Sequence, residues 1–202
     1  MRRIVVSEFL TLDGVMQAPG GPDEDREGGF PYGGWLTRYG FDDEQVKKRG
    51  EAIQSTDAFL FGRRTYGIFA SYWPSQPDTN MWATILNPRP KYVVSQTMSE
   101  PLSWQNSTLI SDNVADRIRE LKSQDGGDIS VLGSGELVRF LLQNDLVDEM
   151  MLMVHPLVLG TGKRLFSDGI DARRFRLVDS LAGKEGMLML SYLTTDEPVI
   201  PS

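Results

Sequence analysis

The stretch from Asp128 to Phe166 constrains the fold of this chain most strongly. Ile129 to Leu132 is a short apolar run ending at Gly133-Ser134-Gly135, a pattern typical of a strand buried on both faces. A helical pattern of apolar residues follows over residues 136–143, and residues 150–154 form a second apolar run. A strand, a crossover helix and a strand of this length are expected to be parallel and right-handed. The stretch therefore predicts an α/β fold.

The turn between this strand and its helix has the chemistry of a phosphate site. Gly133 and Gly135 would let a phosphate approach backbone N–H groups at the helix N-terminus. The dinucleotide fingerprint G-x-G-x-x-G would need a third glycine where this chain has Val138. Two interpretations therefore stay open, a phosphate site or a plain tight turn, and this segment alone favours the turn.

Composition and charge exclude several classes of function. The chain has 202 residues, enough for the single domain that we predict over residues 1–202. Its net charge of −7 argues against a general nucleic-acid-binding protein. The chain has no cysteine and one histidine, His155, so thiolate and multi-histidine metal sites are excluded and no metal is expected. No apolar run approaches the ~20 residues of a membrane span, so we expect a cytoplasmic protein without membrane contact.

Strand and helix patterns alternate along the chain until a terminal hairpin. Strand-like runs at 3–10, 57–61, 91–95 and 107–110 precede the opening stretch, and residues 175–182 and 187–194 form an antiparallel pair. The first helix begins after Asp42 and is expected to turn Val46, Ala52 and Ile53 inward. This order predicts a three-layer α/β/α domain with a mixed, mostly parallel sheet and a C-terminal antiparallel hairpin.

The loop over residues 17–41 is long, glycine-rich and aromatic. Loops of this length inside a domain are usually functional or mobile. Phe30, Tyr32 and Trp35 would either form a lid over a ligand or cover an edge of the core, and the sequence favours neither interpretation.

Three junctions after strands carry groups suited to phosphate binding, although each one taken singly is better explained as a turn, a surface charge or a helix cap. The carboxyl ends of parallel strands meet at one sheet edge, so these junctions should lie together. Arg63 and Arg64 can bind phosphates bidentately, and Ser95 and Thr97 offer hydroxyl donors. The predicted cofactor is a dinucleotide with an extra phosphate, bound by Gly62, Arg63, Arg64 and Thr65, by Ser95 and Gln96, and by Gly133, Ser134, Gly135 and Glu136.

The order of these motifs resembles the dihydrofolate reductase fold. It is most similar to the C-terminal reductase domain of the bifunctional riboflavin-biosynthesis deaminase–reductase and its stand-alone relatives. The resemblance spans residues 3–194 and rests on Thr11–Gly14, Gly62–Tyr66, Val94-Ser95, Val131–Gly135 and His155–Gly160, with Gly162 and Leu165-Phe166 behind them.

The resemblance implies an NADPH-dependent oxidoreductase. Gly62–Thr65 and Ser95 would lie near the adenosine phosphate, Gly133–Leu137 under the pyrophosphate, and the nicotinamide near the end of the first strand. The implied reaction is hydride transfer to a small heterocyclic compound, pteridine- or aminopyrimidine-like, or to a carbonyl compound. The activity would be similar to that of a 5-amino-6-(5-phosphoribosylamino)uracil reductase of riboflavin biosynthesis. A homodimer is expected mainly by resemblance, and the methionine-rich residues 150–153 and the C-terminal hairpin add apolar surface.

This chain also departs from both patterns. A dihydrofolate reductase should have an inward-facing acid on its first helix, whereas the acids Asp42, Asp43 and Glu44 stand at the helix start. The riboflavin reductase domain usually has a lysine in its first strand, and this strand has none. The second hypothesis is therefore a non-catalytic module that binds or senses NADP(H).

Two residues, Asp13 and His155, each have two possible roles. Asp13 would bind or protonate the substrate, or hold its turn through an Asx hydrogen bond. His155 would be a proton switch or a packed strand-end residue, and its apolar strand favours packing.

Overall fold

Eight strands form one sheet in the structure, a computed structural model that describes residues 1–166, 170–195, 197 and 199. Apolar and β-branched residues dominate the first, second and fifth of these strands, which are almost completely buried. The strands are β1 (Ile4–Thr11), β2 (Thr56–Gly62), β3 (Lys91–Val94), β4 (Ser107–Ile110), β5 (Asp128–Leu132), β6 (Glu149–His155), β7 (Phe175–Ala182) and β8 (Leu188–Thr194).

The strand order is β4-β3-β2-β5-β1-β6-β8-β7. In this spatial order, the first six strands, from β4 across to β6, are all parallel to their neighbours. Strand β8 pairs antiparallel with both β6 and β7. The prediction of a mostly parallel sheet with a C-terminal antiparallel hairpin is confirmed. Parallel pairing places the carboxyl ends of β3, β2, β5, β1 and β6 side by side on one edge.

Helices cover both faces of the sheet and complete the predicted three layers. The helices are α1 (Asp43–Gln54), α2 (Arg63–Tyr72), α3 (Met81–Leu86), α4 (Val114–Ser123) and α5 (Gly135–Gln143), and short 3-10 turns span Glu27–Gly29, Trp35–Arg38 and Trp73–Ser75. One face of the sheet packs against α4 and α5, and the other packs against α1, α2 and α3.

Helix α1 begins at a capping box, and its inward face matches the predicted apolar residues only in part. The Asp42 side chain accepts a hydrogen bond from the Gln45 N–H, and the Gln45 side chain accepts one from the Asp42 N–H. The prediction is right for Ile53, which is buried, and for Ala52, which packs against the buried methionines, but it is wrong for Val46, which is 46% exposed. Gln45 is buried in its place, and it shares its face with Ile53 and with Arg49 at the intervening i+4 position.

The methionines of β6 are used inside the chain. Met151 and Met153 pack with Met187 and Met189 in a buried cluster between the sheet and α1. The dimer was expected partly because these methionines add apolar surface, but one chain already covers them. On the edge strand β7, by contrast, Leu177 and Val178 remain exposed.

Two searches of the described residues bear on function. Across residues 1–166, 170–195, 197 and 199, no helix is both long and apolar enough to cross a membrane. Within the same ranges, no three His, Asp or Glu side chains lie together as a possible set of metal ligands.

Candidate functional site

Two of the three predicted junctions are joined by a hydrogen bond. The backbone N–H of Gly62, at the end of β2, donates to Oγ of Ser134 after β5, at 3.0 Å. The third junction is adjacent, because Gly62 is the register partner of Val94, the residue before Ser95. The structure thus brings together the segments that the sequence assigned to one edge.

The turn after β5 needs a backbone that glycine adopts most readily. Gly133 has a φ of +66° and Ser134 has a φ of +74°, both in the left-handed region. A Cβ at Gly133 would also lie 3.3 Å from Cγ2 of Thr65. This conformation turns the chain sharply from β5 into α5, so the first N–H groups of α5 lie close to the β2–α2 turn.

The N-terminus of α5 supplies backbone donors at this edge. The first N–H groups of a helix have no partner within it, and those of Gly135, Glu136 and Leu137 belong to this set. The Leu137 side chain is buried in the core, and the exposed Glu136 side chain pairs with Arg139. A Cβ at Gly135 would lie 2.5 Å from Sδ of Met16, so Met16 fills the space beside this glycine.

The two arginines of the β2–α2 junction differ in their partners. Arg64 pairs bidentately with Glu27 of the long loop, and Glu27 also accepts from Nζ of Lys163 at 2.6 Å. Arg63 is exposed and forms no ion pair with any of the described residues. An arriving phosphate would therefore find Arg63 free and would have to displace Glu27 from Arg64.

The β3 junction is held by a local serine turn. Oγ of Ser95 accepts hydrogen bonds from the N–H groups of Thr97 at 3.2 Å and Met98 at 3.1 Å. Ser95 is buried, and Gln96 beside it is exposed. The Ser95 oxygen is the acceptor in both bonds, and its hydroxyl also lies 3.4 Å from Oγ1 of Thr97, where either hydroxyl can donate.

Asp13 links the turn after β1 to the segment after β6. Its carboxylate accepts from Oγ1 of Thr11 at 2.5 Å and from the N–H groups of Leu159 at 3.2 Å and Gly160 at 2.9 Å. Burial alone would raise the pKa of Asp13, but these hydrogen bonds outweigh it and lower the pKa to about 2. A group that is ionised at neutral pH is a poor proton donor, so the geometry favours the turn-holding alternative.

The aromatic residues of the long loop divide into inner and outer positions. Phe30 and Trp35 are buried in a small cluster with Val15 and Ala18, and Nε1 of Trp35 donates to the Gln17 carbonyl at 2.8 Å. Tyr32 is largely exposed and touches Phe30 edge to face. Two of the three proposed lid residues therefore anchor the loop to the core, as the second interpretation expected.

His155 is packed, and it is surrounded by rings. It is fully buried with Phe9, Trp35 and Tyr39 around it in edge-to-face contacts. Burial, reinforced by the charge of Arg49, lowers its pKa, and its Nε2 has no hydrogen-bond partner among the described residues. The neutral, packed alternative fits these contacts.

Sequence reasoning missed two ionisable groups near the end of β1. Glu8 is fully buried on the face of β1 that carries Val6 and Leu10, its Oε1 has no partner in the described part of the chain, and burial holds its pKa well above the usual range. Arg49 of α1 lies among the rings of Phe9 and two further aromatic residues on the opposite face. A charged residue inside an apolar strand run was the available signal for Glu8.

Comparisons with known proteins find a family model and a relative that each match almost the whole chain. The family model of the RibD C-terminal domain matches residues 2–189. The YyaP protein of Bacillus subtilis (strain 168) is 28% identical over 199 residues, which cover 95% of this chain and 94% of YyaP.

Two solved structures share the fold. A putative riboflavin biosynthesis protein from Shewanella sp. PV-4 matches with a TM-score of 0.73 and 21% identity, covering 96% of this chain and 99% of that one. A dihydrofolate reductase from Enterococcus faecalis, in complex with NADP(H) and RAB-propyl, matches with a TM-score of 0.61 and 12% identity, covering 96% and 97%.

Proposed function

Because the chain belongs to the RibD C-terminal domain family, whose fold is of the reductase type, we propose that it is an NADPH-dependent oxidoreductase. The substrate would be a small heterocyclic compound, pteridine- or aminopyrimidine-like, or a carbonyl compound. NADPH would supply the hydride, and the residues of this chain would bind it, orient it and exclude water.

The observation that carries the proposal is the hydrogen bond from Gly62 to Ser134. It unites an arginine-bearing turn with the N-terminus of α5, and a pyrophosphate suits the free N–H groups of a helix start. The extra phosphate of NADPH suits Arg63, with Arg64 after release from Glu27 and the Ser95 hydroxyl as further donors. The dihydrofolate reductase of Enterococcus faecalis, which shares the fold, was crystallised with NADP(H), which adds support.

The substrate would lie near the end of β1, beside the nicotinamide. Tyr32 is the loop aromatic that remains exposed and can stack on a flat ring. Asp13 would then act mainly by fixing the turn that shapes this end of the pocket, since its hydrogen bonds tie β1 to the segment after β6.

Cofactor preference tests the proposal directly. Fluorescence titration should give a lower Kd for NADPH than for NADH by about tenfold or more, the scale of one charge-assisted phosphate contact. Replacing Arg63 and Arg64 together with alanine should remove most of that preference. Arg119→Ala, which removes an exposed arginine of α4, is the matched control and should leave it intact. Equal affinity of the parent protein for the two cofactors would refute the assignment.

The alternative is a module that binds or senses NADP(H) without turnover. The observation that favours it is the inward face of α1, which carries Gln45, Arg49 and Ile53 but no acid. Adding pteridine, pyrimidine or quinone-like compounds to the NADPH complex separates the two functions. Loss of NADPH absorbance supports the reductase, and a stable complex with every compound supports the module.

A further inference from the structure

Arg49 is a cation with no anionic partner in the described structure. Its guanidinium carbon lies 4.2 Å from the ring centroid of Phe41, 5.0 Å from that of Trp82 and 5.4 Å from that of Phe9. No hydrogen bond or ion pair joins it to the residues that the structure describes. Burial lowers the pKa of Arg49 to about 10, so the group remains charged at neutral pH.

The surrounding rings only partly compensate this charge. A ring face attracts the cation, typically by about 0.5–2 kcal/mol. However, a guanidinium has five N–H donors in a planar fork, and ring faces satisfy them poorly. The residue is only partly buried, so the protein does not enclose it completely. The site therefore lacks one component, a planar group of hydrogen-bond acceptors with negative charge.

The neighbouring groups do not supply that component. His155 is the titratable residue whose pKa the Arg49 charge affects, and it is neutral and buried. The other charged side chains of α1 that form ion pairs do so elsewhere, Lys48 with Asp179 on β7 and Lys47 with Glu51 on the solvent side. The acids near this helix therefore leave the guanidinium without an acceptor.

We propose that Arg49 is the substrate-recognition residue, and that the substrate is a flat ring bearing a carboxylate or a similar anionic acceptor edge. Phe9 and Trp82 would contact the ring, and the guanidinium would bind the anionic edge bidentately. The inference deepens the proposed reductase and rests on it, since Phe9 belongs to β1, the strand at whose end the nicotinamide is proposed to lie.

Two pairs of small probes test the proposal. Benzoate with benzamide, and 2-naphthoate with 2-naphthamide, match in shape within each pair and differ in charge. Isothermal titration calorimetry, with and without saturating NADPH, should show that each carboxylate binds the parent protein about tenfold tighter than its amide, or more. Arg49→Met, which keeps an unbranched apolar side chain, should abolish that preference, and Arg49→Gln should do the same.

The matched control is Lys47→Met. It removes the same positive charge from the solvent side of α1, so it should keep the preference for carboxylates. Far-UV circular dichroism should be unchanged in all variants, and NADPH affinity should stay within a few-fold. The proposal is overturned if the parent shows no preference or binds no probe, if the preference survives in both Arg49 variants, or if Lys47→Met loses it equally.

The two hypotheses fail in different ways. If the parent binds no NADPH but its carboxylate preference depends on Arg49, the anion site stands and the reductase assignment falls. If NADPH binds tightly and the carboxylate preference is absent, the reductase assignment stands and the recognition role of Arg49 falls.

Discussion

Replacing Asp13 with asparagine should lower stability in a pH-dependent way. The carboxylate accepts three hydrogen bonds, two of them from the N–H groups of Leu159 and Gly160, 146 and 147 residues along the chain. An asparagine keeps one acceptor oxygen and places an NH₂ group where the second oxygen stood. The variant therefore removes the charge from all three bonds and leaves at least one of these donors without an acceptor.

The magnitude follows from the pKa of Asp13. A pKa of about 2 in the folded chain against an ordinary 3.8 corresponds to about 2.4 kcal/mol of linked stability. The side chain is 18% exposed, and solvent screens part of the interaction, so we expect a loss of about 1–2 kcal/mol at pH 7. Because the folded pKa is depressed, this stability is present above pH 3.8 and is lost as the pH falls towards 2.

Urea unfolding followed by tryptophan fluorescence, at several pH values from 7 to 3, would measure this effect. The gap in unfolding free energy between parent and Asp13→Asn should be largest at pH 7 and narrow below pH 4. Asp116→Asn, an exposed acid of α4, should stay within about 0.5 kcal/mol of the parent throughout. A gap for Asp13→Asn that is absent at pH 7, or that does not change with pH, would refute the reasoning.

The same variant separates the two roles of Asp13. If Asp13 holds the turn, turnover on any accepted substrate should stay within a few-fold of the parent. A loss of about 10²-fold with unchanged NADPH binding would assign it to proton transfer.

Further predictions concern the helix start, a buried acid and assembly. Gly135→Val should abolish NADPH binding and keep the circular dichroism spectrum. Adding Met16→Ala removes the collision between the new side chain and Met16, and it should not restore binding if the phosphate needs the space beside residue 135. Glu8→Leu should raise the free energy of unfolding, measured by urea titration, more at pH 8 than at pH 5. The reason is that the raised pKa of Glu8 makes the parent protein lose stability as the pH rises above 4.5, and an equal gain at both pH values would contradict this. Light scattering should give twice the chain mass of 22.6 kDa if β7 forms a dimer interface, and the single mass would argue against it.

The sheet could be predicted because its signal is local. Buried strands such as β2 and β5 appear as short apolar runs, and the spacing between runs is sufficient for parallel crossovers. The same logic placed the three junctions on one edge, since parallel strands share the direction of their carboxyl ends. Strand order and direction were therefore sufficient to predict that these three junctions lie together.

The partners within the site could not be predicted, because they are distant in sequence. Arg64 meets Glu27 across 37 residues, and Asp13 meets Gly160 across 147. Nothing in the local pattern of either segment specifies these contacts. On α1, Ile53 and Ala52 were predicted correctly, but Val46 was wrong, because hydrophobic periodicity does not register a stripe in which the polar Gln45 and Arg49 occupy inward positions.

The two missed charged residues have different physical meanings. Glu8 and Arg49 lie on opposite faces of the sheet, so they cannot form an ion pair, and each is desolvated alone. Glu8 is fully buried and can avoid its charge by keeping a proton. Arg49 cannot lose its proton at neutral pH, and it stays partly open to solvent among three ring faces. An unpaired charge that cannot be neutralised and that the protein does not enclose completely is the arrangement expected of a binding residue, and this difference is why we assign recognition to Arg49 and not to Glu8.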